Sequence, residues 1–254
     1  MGVIKYDIRE SAFRRSRAEF YELSILLGMD SFAYVVKDTA TAEVVAFRSV
    51  DLQTDDLSQW ADAFSVLVSD DELLRLNLFR ATRVAVLTPR LTLVPSRLYD
   101  PGAAREYLEQ LTTLSLEDRV RADEPEELPL RLVFAIAADR MEVIQHRLLP
   151  RHVRHLATTL LPRWAALTGG AHGSRGVFAL LRNQRLLVAV CQAGKVLLVN
   201  VFETPTADDV LYFTLLAFRQ TGLPPHTVPL FLCGEIMRES EVYRRLFTYI
   251  EDIR

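Results

Sequence analysis

The sequence is poor in the residues that mark special architectures. Cysteine occurs twice, at 191 and 233, and both positions lie inside apolar runs. That excludes a disulfide framework and a CxxC zinc site, and it reads as two buried, reduced thiols. Glycine and proline together make up 21 of the 254 residues, about 8% against an ordinary ~12%. Glycine-rich phosphate loops and flexible low-complexity linkers are therefore scarce. Apolar runs are short: 186–191 (LLVAVC) is typical, far below the ~18 residues of a membrane span. The opening MGVIKYDIRESAFRRSR has no apolar signal-peptide core, and Tyr6 stands where a myristoylation motif has Ser or Thr. These absences predict a cytoplasmic protein without membrane insertion.

Lysine is nearly missing too. Of 30 basic residues three are lysines, at 5, 37 and 195, so 27 are arginines, balanced by 33 acids to a net charge of -3. Such a balance gives no global field for a polyanion, so nucleic-acid binding would need a local patch. What is abundant is apolar residues, 50% of the chain, enough for a sizeable core.

The apolar pattern resolves into strands and helices. Residues 20–50 hold three apolar, β-branched runs separated by GMDS and DTATA, a three-stranded meander. Thr54 as N-cap, then Leu57, Trp60, Ala61, Phe64, Leu67 and Val68, outline one helix face. A strand at 82–87 follows, and Asp100-Pro101 opens a helix ending near Leu111. The order βββαβα then returns. Residues 176–203 give three strands broken at RNQ and QAGK, and Thr206-x-x-Asp209 starts a helix carrying Val210, Phe213, Leu216 and Ala217. A strand at 228–233, a turn at Gly234 and a closing helix with Tyr243, Leu246, Phe247 and Ile250 inward complete the copy. Between the copies, 118–127 reads as a charged loop or ribbon and 130–138 as a buried strand. A helix over 139–149 turns Met141, Ile144 and Leu148 inward, and 152–168 is a short strand and a helix with Trp164 buried. The glycine cluster Gly169, Gly170, Gly173 and Gly176 precedes a strand rather than a helix, and so reads as a hinge and not as a phosphate cradle. The expectation is an α/β protein of two similar lobes, 1–150 and 151–254.

Two copies of such a meander followed by alternating helices and strands resemble the actin, sugar-kinase and heat-shock chaperone ATPase superfamily, an actin-like (ribonuclease H-like) architecture. More narrowly, YELSILLGMDSFAYVV, TLVPSRLY at 92–99 and LFLCGE are similar to a Bacteroidetes family of unknown function with an actin-like fold. The superfamily resemblance implies a D-x-G in the first hairpin, another at the start of the second lobe, and a Gly-Gly pair near an adenosine. Carboxylates there hold Mg²⁺ or its waters, and glycines admit phosphate oxygens to backbone N–H groups. Here the first hairpin keeps Gly28 but has Leu26 where the Asp belongs, with Asp30 and Ser31 just beyond. The second hairpin, FALLRNQRLL, has neither Asp nor Gly, and the third motif survives as Gly234 followed by Glu235. Gly28, Asp30, Ser31 and Gly234 are the residues the resemblance would place in an inter-lobe nucleotide cleft. Their incompleteness points to a non-catalytic protein-interaction role without cofactor, with a divergent Mg-ATPase using Asp30 as the alternative.

No GxxxxGK[ST], GxSxG, HExxH or GxGxxG motif occurs. His152 and His155 lie three apart without nearby acids or thiols, so they make a poor metal pair. The segment 146–155 (HRLLPRHVRH) has Arg147, Arg151 and Arg154 and no acid. It is the local patch that could grip an acidic protein partner or, as a third reading, nucleic acid. Without stacking aromatics beside it, an RNA-binding module finds little support.

Overall fold

The structure, a computed structural model, describes residues 3–11, 13–52, 60–76, 78–170 and 174–254. The first elements are β1 (Val3–Arg9), β2 (Tyr21–Leu27), β3 (Ser31–Asp38), β4 (Val44–Asp51), α1 (Trp60–Asp70) and β5 (Ala81–Val86). Then come β6 (Leu91–Pro95), α2 (Ala104–Glu109), β7 (Arg119–Asp123), β8 (Leu130–Ile136), α3 (Ala138–Val143), β9 (His152–His155) and α4 (Leu156–Leu167). The last are β10 (Arg175–Arg182), β11 (Arg185–Gln192), β12 (Lys195–Glu203), α5 (Ala207–Gln220), β13 (Leu230–Gly234) and α6 (Glu241–Tyr249).

Two compact units interleave in sequence. One comprises Met1–Thr88, Leu114–Val120 and Ala135–Leu156; the other comprises Pro89–Thr113, Arg121–Phe134 and Ala157–Arg254. In the first, six strands run in the order β1-β4-β3-β2-β5-β9. β2, β3 and β4 form the expected antiparallel meander, and β5 lies parallel to β2. Strict alternation buries Tyr21, Leu23, Ile25 and Leu27 of β2, the period-two signature of a strand facing a core. Spacing of four does the same for α1, which buries Trp60, Phe64 and Val68. Phe64 stacks on Trp60 at 4.9 Å and meets Phe32 at 5.4 Å, and truncating so enclosed a ring to alanine costs ~3–5 kcal/mol. Met141, Ile144 and Leu148 are buried as their spacing predicts. Thr54 and Leu57 lie outside the described residues.

In the second unit a four-stranded sheet has the order β12-β11-β10-β13, and a smaller one β6-β8-β7. Here too three antiparallel strands are followed, after a helix, by a strand parallel to the first. The arrangement β12-β11-β10-β13 thus repeats β4-β3-β2-β5 of the first unit, so the βββαβ part of the duplicated order is present in the topology, whereas α2, expected to close the first copy, falls in the second unit. Both hairpins are two-residue turns with positive φ throughout, Asn183-Gln184 (41°, 57°) and Ala193-Gly194 (51°, 76°), the geometry that matches strand twist. Val177, Ala179 and Leu181 on one face of β10 join the core under α5 and α6. Phe178, on the other face, stacks between Trp164 at 5.3 Å and Phe231 at 4.7 Å. A side chain at Gly176 would come within 3.0 Å of Phe231, so that stack needs a glycine there. Trp164 is buried, as expected.

Local signals in the second half hold well. Thr206 and Asp209 form the reciprocal capping box, with Thr206 N–H donating to Asp209 at 3.0 Å and Asp209 N–H to Thr206 Oγ1 at 3.2 Å. Asp100 caps the turn at Pro101, accepting from Gly102 N–H at 2.8 Å. Three readings are corrected. The buried face of α5 is Val210, Thr214, Ala217 and Phe218, so Leu216 lies beside it rather than on it. On α6, Leu246 and Ile250 are buried but Phe247 is 60% exposed. Cys191 is buried, whereas Cys233 is exposed, because it lies near the end of β13 where burial runs out.

Candidate functional site

The first hairpin gathers three of the four residues that the resemblance picks out. Ser31 is buried, and its carbonyl accepts the Gly28 N–H at 2.8 Å, closing the turn. The Asp30 carbonyl accepts Leu52 N–H at 2.8 Å, tying the turn to the end of β4. Asp30 Oδ1 is enclosed and has no hydrogen-bond partner, an unusual state for a carboxylate oxygen. From α3, Arg140 reaches the same turn, donating to Met29 Sδ at 3.3 Å and lying 4.9 Å from the Trp60 ring. Leu26, where the resemblance would expect a first Asp, has a hydrocarbon side chain that offers no ligand atom.

Gly234, the fourth residue, belongs to the second unit and sits against the other hairpin. Its φ is +104°, and a Cβ on it would lie 2.0 Å from the Leu181 carbonyl oxygen. Only glycine lets β13 approach β10 this closely. The approach delivers Glu235: its N–H donates to Leu181 O at 2.8 Å, and its carboxylate accepts Asn183 N–H at 3.2 Å and Arg182 Nη1 at 3.2 Å. The Asn183 N–H at the tip of this hairpin is thus held by the chain's own carboxylate. A unit negative charge brought within 4 Å of that carboxylate is repelled by ~1–4 kcal/mol, between bulk water and a protein surface. Sequence reasoning noted Glu235 as a departure from a small residue but gave it no role.

The basic segment divides along β9. Arg147, Arg151, His152 and Arg154 are exposed, while Val153 and His155 are buried. His152 and His155 therefore point to opposite faces of a strand and cannot share a ligand. Burial pushes the His155 imidazole down to about 4, and its Nε2 lies 3.0 Å from the Thr88 carbonyl. Among the described residues no group of three His, Cys, Asp or Glu side chains converges as a metal site would need. His172 and Gly173 lie outside the described residues. Burial pushes the Cys191 thiol up to about 12, which leaves it an inert core residue.

A buried carboxylate also escaped the sequence reading. Asp71, just past α1, is buried and accepts hydrogen bonds from Tyr34 Oη at 3.1 Å and Arg48 Nη1 at 2.5 Å. It also accepts Leu73 N–H at 2.8 Å and Leu74 N–H at 3.1 Å. Its partners come from β3, β4 and the following turn, so it ties the helix end to the sheet.

Comparison with known proteins places this geometry. The chain is similar to a Bacteroides thetaiotaomicron protein with an actin-like ATPase fold and unknown function, with a TM-score of 0.83 and 16% identity over 96% of this chain and 93% of that one. It is also similar to a chain of the PilM-PilN type IV pilus biogenesis complex, with a TM-score of 0.56 and 11% identity over 91% and 87% of the two chains. The fold is the actin-like ATPase fold. No curated protein matched the sequence, and among the described residues no helix is long and apolar enough to cross a membrane. Residues 10–253 match one family model throughout, and the chain belongs to that family of proteins of unknown function, DUF3822.

Proposed function

We propose that this chain is a non-catalytic member of the actin-like fold that works by binding another protein. The observation that carries the reading is the Glu235 carboxylate on the Asn183 N–H and Arg182. Mg-ATP would need carboxylates at the ends of the two hairpins and open N–H groups facing phosphate. Leu26 and the Asn183-Gln184 turn supply no acid, and Glu235 presents a negative charge where a phosphate would sit. The residues present do not fit that cofactor. Support for a protein partner comes from the PilM-PilN complex, in which a chain of similar fold assembles with a second protein.

The rival reading, a divergent Mg-ATPase, rests on one observation, the unpartnered Oδ1 of Asp30. A Mg-dependent ATP turnover assay separates the two. The proposal expects no hydrolysis above background. Turnover of about 1 per second or faster, the low end for enzymes, that disappears in Asp30→Ala would replace it with the rival.

A further inference from the structure

We propose that the open face of the first unit's six-stranded sheet receives an acidic amphipathic helix of a partner protein. The inference rests on the protein-binding reading above and names the surface that would serve it.

Register fixes which side chains share this face. Ile8 of β1 lies opposite Phe47 of β4, Phe47 opposite Val35 of β3, and Val35 opposite Ser24 of β2. The row continues through Arg83 of β5 to His152 of β9, because directly paired residues point to the same side of a sheet. The register shifts at Ile4/Tyr6 and Val36/Lys37 lie outside these pairs. Ser24, Arg83 and His152 are exposed, Ile8 is 51% exposed, and Val35 and Phe47 are half-buried. The helix α1 lies on the opposite face, where Phe64 meets Phe32.

The second unit has the same strand arrangement with both faces closed. Val177 and Ala179 of β10 face the core under α5. On the other side Trp164 of α4 stacks on Phe178 at 5.3 Å, and Phe178 and its cross-strand neighbour Ala189 are fully buried. A helix is therefore what this arrangement takes on its second face. In the first unit the matching place, centred on Ser24 and Val35, stays open to solvent.

Charge selects the kind of helix. Apolar Ile8, Phe47 and Val35 give way along the row to Arg83 and His152, while Lys37 and Arg154 flank it on the same face. The two acids that these registers place on the face are each held within the chain, Glu22 by Arg83 at 2.7 and 3.1 Å and Asp51 by Lys5 at 2.8 Å. Lys37 and Arg154 are exposed and make no ion pair among the described residues. A helix with an apolar stripe bordered by acids would bury the stripe on the first group and meet the second with opposite charge. A nucleic acid would leave the apolar half of the row facing phosphate.

The probe is a synthetic amphipathic helix with leucine at i, i+3, i+4 and i+7 and glutamate elsewhere, beside a twin with lysine for glutamate. Fluorescence anisotropy with the full chain at low salt is expected to show saturable binding of the acidic probe and binding of its twin weaker by about tenfold or more. Ser24→Glu, and separately Lys37→Glu with Arg154→Glu, should each weaken the acidic probe by roughly tenfold or more. The thermal melt should be retained, because all three positions are exposed. Reversing the exposed Arg238 and Arg244 instead changes net charge equally and should leave binding as it was. No binding of the acidic probe up to ~1 mM, equal binding of the two probes, or binding that Ser24→Glu leaves unmoved overturns the proposal. A single-stranded oligonucleotide that binds where the acidic helix does not, and is lost in Lys37→Glu with Arg154→Glu, replaces it with a nucleic-acid surface. The Mg-ATP turnover assay keeps the two readings apart. Hydrolysis together with a helix bound on this face removes the non-catalytic reading and keeps the surface, whereas neither hydrolysis nor a bound helix removes the surface alone.

Discussion

The buried carboxylate of Asp71 accepts from four donors, and Asp71→Ala tests directly what that network is worth. The substitution removes the acceptor for Tyr34, Arg48 and the Leu73 and Leu74 N–H groups together. Tyr34 is 1% exposed and the Arg48 side chain 18%, so water reaches their orphaned donors poorly. Breaking a buried ion pair by deleting one partner costs ~3–5 kcal/mol, a large share of the ~5–15 kcal/mol that holds a domain folded. Tyr34→Phe deletes one donor and leaves Asp71 its other three, so its cost should be near 1 kcal/mol. In Asp71→Ala with Arg48→Met the stranded charge is gone as well, and the double variant should lose less than the two single variants added together. Each unit holds one of the chain's two tryptophans, Trp60 and Trp164. Urea unfolding of a Trp164→Phe background, followed by Trp60 fluorescence, therefore reads the first unit alone. A second readout is alkaline. Burial, and next the Asp71 carboxylate, push the Tyr34 hydroxyl well above its ordinary value. Tyr34 should therefore ionise in the unfolded chain near pH 10 while it stays protonated when folded, so this stabilisation is complete below pH ~10 and lost as pH rises beyond it. Tyr34→Phe should flatten that slope. A loss below 1 kcal/mol in Asp71→Ala would refute the reasoning.

Other outcomes follow from single positions. His155 is fully buried with its pKa lowered to about 4; the unfolded chain takes up its proton first, so stability is complete above pH ~6.5 and about 3 kcal/mol of it is lost as pH falls to 4. A pH series of urea midpoints should show that acid limb in the parent and not in His155→Gln. Gly234→Ala would force a Cβ to 2.0 Å from Leu181 O at a φ of +104°; strain alone costs ~1–3 kcal/mol, and a melt within 0.5 kcal/mol of the parent would remove the close-approach argument. Replacing Arg147, Arg151 and Arg154 with Gln should leave the melt unchanged, since all three are exposed. If the parent binds RNA or DNA, each phosphate that these arginines no longer neutralise should reduce the log-log salt slope by ~0.7–0.9.

The sequence reading succeeded where structure is set locally. The capping box at Thr206, the two turns of the second meander and the helix face of Trp60, Phe64 and Val68 each depend on residues within a few positions of one another. It failed where distant elements decide. Glu235 reaches its partners through the pairing of Leu181 with Gly234, a register that no local pattern encodes. Asp71 drew no notice because Tyr34 and Arg48, which give it its role, lie far away in sequence. β1 went unread for another reason. Ile4, Tyr6 and Ile8 alternate as a strand should, but the intervening Lys5 and Asp7 and the arginines that follow gave the segment the look of a charged terminus.

The central claim is that the actin-like fold of this chain no longer accepts Mg-nucleotide. Calorimetric titration of Mg-ATP into the purified protein tests it most directly. The expected result is no saturable heat, and a thermal stability that does not rise with ligand. Saturable binding, with the ~2.7 kcal/mol of added stability that a ligand brings at one hundred times its Kd, abolished by Asp30→Ala and tightened by Glu235→Gln, would contradict it.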